Sequence, residues 1–179
     1  MTPLRINALT AVLSLLLAGT AGAMSSDRQQ PLQIDADKAD IDQQRGVSTY
    51  SGNVHLTRGS MKLIADEVIV KHEGGTVHVV TAIGSPANYQ QLSDKQQLIR
   101  ARAQRMEYDI DTGQLLLLKQ AELHQDSNVF ASERIVYDSV NDRVNAGANA
   151  ASPTDRVHIT IQPGAAPQAP PGTAPQAPQ

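Results

Sequence analysis

The chain has 179 residues, of which 40% are hydrophobic, yet it carries only four Tyr, one Phe and no Trp, so Val, Ile and Leu must fill any core. It has no Cys, which excludes disulfide cross-links and thiol chemistry. A formal net charge of −3 gives it no electrostatic reason to seek nucleic acid or an anionic membrane.

The first stretch, "MTPLRINALTAVLSLLLAGTAGAM", places Arg5 in a short polar start, then an apolar run to Leu17, then the small residues Ala21-Gly22-Ala23. This pattern predicts a secretory signal peptide over 1–23, cleaved after Ala23, and hence export of the mature chain. An uncleaved anchor fits less well, because the apolar run is short of a span and an A-x-A site follows at once. Residues 24–30, "MSSDRQQ", read as a flexible lead-in, and the folded domain as 31–162. From Pro163 the chain is "PGAAPQAPPGTAPQAPQ", uncharged and without aliphatic periodicity. The tail 163–179 is predicted to be disordered and partly polyproline-like.

Inside 31–162 the apolar pattern has period 2. In "LQIDADKADID" the carboxylates Asp35, Asp37, Asp40 and Asp42 alternate on an outward strand face. "NVHLTRGSMKL" puts Val54 and Leu56 on one strand, turns at Arg58-Gly59-Ser60, and puts Met61 and Leu63 on the next. In "RMEYDIDTG" Met106, Tyr108 and Ile110 share one face before the turn Thr112-Gly113. Further turns fall at Gly46, Gly74-Gly75 and Asn141-Asp142, and Pro is confined to Pro31, Pro86 and Pro153. About a dozen or more short strands are predicted, with no helix after the signal, as a sandwich, a barrel or a stack.

One phrase recurs four times: an aliphatic residue, any residue, Ala, a polar residue, and an apolar residue five positions beyond the Ala. The copies are Ile34-Ala36-Asp37-Ile41, Leu63-Ala65-Asp66-Val70, Ile99-Ala101-Arg102-Met106 and Val129-Ala131-Ser132-Val136, with alanines 29, 36 and 30 residues apart. The spacing predicts strands that bend after each Ala, where a small side chain lets the backbone approach a neighbouring layer. Stacked hairpin units would complete each other's apolar faces. Such a stack leaves two unpaired ends, able to join head to tail with another copy or another protein. Its interior is either a closed dry core or a groove suited to acyl chains, where each buried methylene is worth about 0.8 kcal/mol.

Chemistry-bearing motifs are absent: there is no nucleophile elbow, P-loop or dinucleotide fingerprint. His55, His72, His78, His124 and His158 are scattered and read as solvated strand-face residues, so no metal or other cofactor is expected. Arg100, Arg102 and Arg105 form a local basic cluster on a wet face. No catalytic residue stands out, and a hydrolase would need a convergent carboxylate pair that the spacing does not reveal.

The segments "YSGNVHLTRGSMKLIADEVIV" (50–70), "AIGSPANYQ" (82–90) and "IRARAQRMEYD" (99–109) resemble the OstA-like family of lipopolysaccharide-transport proteins, and the resemblance covers about 30–162. It implies an all-β fold, a twisted and incompletely closed β-jellyroll, with no enzymatic activity. It further implies that lipopolysaccharide is held by its lipid A acyl chains in the apolar interior. The implied lipid contacts are Leu32 and Ile34 near the start, Tyr89 after "GSPAN", and Tyr108 and Ile110 in the "MEYDI" strand, each of which could equally be core packing. The implied partners are an LptC-like component of the inner-membrane complex at the N-terminal edge, an LptD-like outer-membrane protein at the C-terminal edge, and further copies in a head-to-tail homo-oligomer. "RVHITIQ", 156–162, is expected to supply the C-terminal pairing edge. A non-lipid scaffold joining envelope proteins through strand pairing is the rival reading.

Overall fold

The period-2 alternation is realised as one antiparallel sheet. The computed structural model describes residues 26–147 and 156–162, so the expected signal peptide, the start of the lead-in, Pro153 and the tail lie outside the described residues. The strands are β1 (Gln33–Asp35), β2 (Lys38–Asp42), β3 (Val47–Arg58), β4 (Met61–Glu73), β5 (Thr76–Leu92), β6 (Leu98–Asp109), β7 (Gln114–Gln125), β8 (Asn128–Asp138), β9 (Arg143–Ala146) and β10 (His158–Thr160). They follow the order β1-β3-β4-β5-β6-β7-β8-β10, with β2 also on β3 and β9 also on β8. Each long strand pairs with its sequence neighbour: the turns at Gly59, Gly74-Gly75 and Thr112-Gly113 fall where the sequence predicts them, whereas those at 93–97 between β5 and β6 and at Asp126-Ser127 between β7 and β8 carry no Gly and lie outside the predicted sites. The sheet does not close on itself: β1 and β2 form one edge, β9 and β10 the other.

These ten strands include six of 11 to 17 residues, longer than the short strands expected from the sequence. The difference lies in how the chain bends. Register shifts fall between Ser51 and Val54 in β3, Ile64 and Glu67 in β4, Ile83 and Ala87 in β5, Arg102 and Arg105 in β6, and Leu118 and Ala121 in β7. Each is a β-bulge, which kinks a strand without ending its pairing. Because the bulges lie side by side across the sheet, they make one crease, and every long strand reads as two short ones. The edges break at the same line, β1 from β2 at Ala36-Asp37 and β9 from β10.

Small residues line the crease on its inner side: Ala65, Ala87, Ala103, Ala121 and Ser132 are all buried. Gly84 sits there too, where an added Cβ would meet the Ala87 backbone nitrogen at 2.6 Å. Beyond the crease, cross-strand rows carry the core. One row, on the half that holds β1 and β10, runs Ile34-Leu56-Leu63-Tyr89-Ala101-Leu123-Phe130-Ile159. Another, on the half that holds β2 and β9, runs Ile41-Ser48-Val70-Val80-Tyr108-Leu115-Tyr137-Val144. All the buried apolar residues form one cluster, so the two halves are folded over a shared core.

The second and third copies of the recurrent phrase face this core as expected, whereas in the first, at the open edge, only Ile34 packs on it, Ala36 is exposed and Ile41 is 58% exposed. The fourth is shifted by one residue. Leu123 pairs with Phe130 and Leu115 with Tyr137, so Phe130, Ser132, Ile135 and Tyr137 face inward while Val129, Ala131 and Val136 take the other side. A one-residue step in register exchanges the two faces of a strand.

Part of the expected lead-in, 26–30, lies within the described residues. Ser26–Gln29 is a turn of 3-10 helix. Its Asp27 accepts from the backbone N–H of Ser60 at 2.9 Å and from the Ser60 hydroxyl.

Candidate functional site

The two inner faces of the folded sheet are lined mainly by Val, Leu, Ile, Met, Ala and Tyr, with Ser48 and Ser132 also buried there, and polar side-chain networks gather at their outer ends. At the crease-distal end of the first half, Tyr89 donates its hydroxyl to Gln91, and Gln91 in turn donates to Asp27 at 3.2 Å. Burial alone would raise the Asp27 carboxyl, but hydrogen bonds from Ser60 and Gln91 and the nearby Arg58 hold it below the usual range. Burial pushes the Tyr89 and Tyr137 phenols well above theirs, so both stay neutral donors.

Asp142, in the turn between β8 and β9, joins the far end of the second half to the far end of the first. It accepts from Lys95 at 2.7 Å and from Gln125 at 2.6 Å, with the Tyr137 hydroxyl at 3.4 Å. Lys95 lies in the β5–β6 loop and Gln125 ends β7, so this carboxylate ties the halves together on the C-terminal side. On the N-terminal side the inner rows run out to half-buried or exposed residues.

The five residues expected to contact lipid fall on this inner surface, but in different settings. Leu32 and Ile34 are half-buried at the β1 edge, packed against the margin of the core, and Ile110 is half-buried just beyond the end of β6. Tyr89 and Tyr108 are 3% and 4% exposed. They come from opposite halves, and their rings meet at 6.4 Å between centroids, tilted by 42°. Ile34 and Tyr89 share one cross-strand row, while Ile110 lies just beyond β6 in the other half. The middle of the folded sheet is therefore filled by the tyrosine pair, and its open ends are apolar.

The outer face is polar. Arg102 and His124 both bond the Glu122 carboxylate, Arg102 at 2.5 Å, and Arg105 lies 3.6 Å from Glu107. The basic cluster is thus largely shared with carboxylates. Asp37 accepts from Asn53 at 3.2 Å and Asp42 from the Arg45 backbone at 2.9 Å, so the acidic run caps local structure. No group of three or more potential metal ligands converges among the described residues. Nor does any helix among them have the length and apolarity to cross a membrane.

The family described as "LptA/(LptD N-terminal domain) LPS transport protein" matches residues 33–143, which takes in both halves of the sheet and the crease. The chain belongs to the LptA family. It is 35% identical to the lipopolysaccharide export system protein LptH of Pseudomonas aeruginosa over 88% of this chain and 95% of that one. Identity to the export system protein LptA of Escherichia coli K12 is also 35%, over 69% of each chain, and to the Haemophilus influenzae LptA 28%, over 83% and 88%. The crystal structure of P. aeruginosa LptH, described as the LptA-homologous periplasmic component of the conserved lipopolysaccharide transport device, matches the fold with a TM-score of 0.71 at 36% identity. That match covers 77% of this chain and 99% of LptH.

As an LptA-family protein the chain is a periplasmic lipopolysaccharide-transport component and not an enzyme. Sequence reasoning missed several residues that shape its interior. Asp142 stood only as part of a turn, Asp27 lay in a stretch taken as mobile, and Tyr137 was hidden in the shifted fourth phrase. A polar residue tied to a distant strand leaves no local periodic signal, although Tyr137 shares the alternation of Ile135 and could have been found by it.

Proposed function

We propose that this LptA-family chain shields the acyl chains of lipopolysaccharide between the two halves of its folded sheet while the lipid passes from the inner to the outer membrane. In this reading copies join end to end, an LptC-like component occupies the β1–β2 edge, and an LptD-like protein occupies the β9–β10 edge. Residues 1–23 direct export and are removed, and 163–179 follow β10 as a flexible tail. The observation that carries the reading is an unclosed sheet with an aliphatic inner face whose rows end in uncovered apolar residues at both edges. Acyl chains gain from such a surface about 25 cal/mol for each Å² removed from water. The acidic balance of the chain, −3, agrees with a grip on the tails in preference to the phosphorylated head.

Leu32, Ile34 and Ile110 sit at the accessible ends and would meet lipid first. Tyr89 and Tyr108 would meet it once an acyl chain parts their rings. That filled middle also favours a second reading, in which the protein is a scaffold that joins envelope proteins by strand pairing and carries no lipid. Photocrosslinking in cells from Ile34 and Ile110, with blotting for lipopolysaccharide, separates the two. Lipid adducts at both positions support carriage; protein adducts alone would establish the scaffold instead.

A further inference from the structure

The two edges of the sheet match each other residue by residue. Each half of the folded sheet counts eight strands from edge to edge, β1 to β10 in one and β2 to β9 in the other. An even count has two consequences for a second copy laid against the first. Its β1–β2 edge meets β9–β10 antiparallel, and the alternation of hydrogen-bonded and non-hydrogen-bonded pairs carries across without a mismatch. Both edges also break at the crease, so their bends coincide.

The cross-strand rows then fix which residues meet. Extending each row straight through the junction sets Val144 against Ile41 of the next copy, Ala146 against Ala39, Ile159 against Ile34 and Ile161 against Leu32. Ile41, Ile159 and Ile161 are 58%, 53% and 73% exposed, the least covered members of rows otherwise buried. On the outer face the same register sets Arg143 against Asp42, Asn145 against Asp40, His158 against Asp35 and Thr160 against Gln33. No like charges meet. A step of two residues, the smallest that keeps the faces correct, sets Asn145 against Lys38 or leaves Arg143 beyond the end of β2.

Resting on the end-to-end reading above, in which the sheet runs on from one copy to the next, we propose that the register of that junction is keyed on the outer face by Arg143 with Asp42 and His158 with Asp35. Within the row of copies each junction joins one chain to a second copy by opposite charge, acid on β1–β2 against base on β9–β10, and only the two terminal edges are left for the LptC-like and LptD-like partners. Ionic keying sets the register and makes assembly sensitive to salt, while the apolar rows supply the contact that survives it.

The chain's lack of cysteine makes the test clean. In purified exported protein the pair Asp42→Cys with Arg143→Cys, and separately Asp35→Cys with His158→Cys, should give a ladder of covalent oligomers on oxidation. The shifted pair Asp40→Cys with Arg143→Cys should give none. Arg143→Glu should weaken self-association several-fold to about tenfold at low salt. Adding Asp42→Arg should restore it, and salt of about 0.5 M should erase the difference. All four positions lie at the surface of edge strands, and circular dichroism of each variant verifies that the fold is kept. A ladder from the shifted pair alone, or association indifferent to Arg143→Glu, overturns the register. Oligomers seen by light scattering with no cross-link from either matched pair overturn it too, yet leave end-to-end assembly standing. A chain that stays monomeric at low salt overturns both.

Discussion

His78 and Asp111 show how single side chains on this sheet are tuned without a binding role. The imidazole Nδ1 lies 2.6 Å from the Asp111 carboxylate, at the end of the sheet where β5 begins and β6 ends. That hydrogen bond raises the His78 pKa above its ordinary value, with burial opposing slightly and the charges of Asp111, Glu73 and Asp109 adding to the rise. Since the folded value is raised, the pair stabilises the fold fully below the unfolded value of about 6.5, and the contribution is lost as pH rises through the folded pKa. In NMR titrations the His78 ring signals are expected to turn over above pH 6.5, and in Asp111→Asn to move back towards it. An unchanged midpoint in Asp111→Asn would show that the contact does not persist in solution. Glu122 is set by opposing causes: burial would raise its pKa, but bonds from His124 and Arg102 lower it. Its stabilising pairs are therefore present at neutral pH and lost as pH falls through the lowered value.

At the scale of elements, the crease decides the fold. Ala103 is fully buried between Ala87 of β5 and the β7 bulge, and Gly84 lies against the Ala87 backbone. Ala103→Leu should cost about 1–3 kcal/mol by overpacking, read as a lower urea midpoint. Gly84→Ala should destabilise as well, because the obstructing atom is backbone and cannot swing aside. Arg100→Leu, on the outer face one residue before Ala101, should be close to neutral, which separates crowding from mere added bulk. The sequence disclosed much of this level. The alternation of Met106 and Tyr108, the turns at Gly59, Gly74 and Gly113, and the bends after Ala36, Ala65 and Ala101 could all be read in advance. What escaped was the continuity of strands through their bends, because a bulge is defined by its partner strand and not by its own residues. The step in the fourth phrase escaped for the same reason: only the pairing of Leu123 with Phe130 shows which face Val129 takes. Of the interior, the alternation gave inward positions at Tyr108 and Ile110 and the recurrent phrase one at Ile34, Tyr89 stood out only through the family resemblance, and the meeting of Tyr89 with Tyr108 needed the folding of one half on the other.

The molecule as a whole is held most firmly in its middle. β4, β5, β6 and β7 each pair along nearly their whole length on both sides, whereas β1, β2, β9 and β10 pair on one side only. Amide hydrogen exchange should therefore be slowest across β4 to β7 and fastest in the four edge strands. Raising the protein concentration should slow exchange at both edges together if copies join there. Equal protection throughout at low concentration would mean that the edges are already covered within a single chain. The Lys95–Asp142–Gln125 tie closes one side only, which leaves the N-terminal side as the freer of the two.

The row of alanines along the crease has a consequence beyond packing. Each long strand crosses it, so the thickness of the side chains there gauges the dihedral angle between the two halves along the whole molecule at once. Residue volume at Ala65, Ala87, Ala103 and Ala121 then works as a shim. It governs the aperture between the facing surfaces without altering the chemistry of any residue that lines them. Where rows continue from one copy to the next, a change made at the crease would be repeated in each copy, and the calibre of the assembly would be set by its smallest side chains.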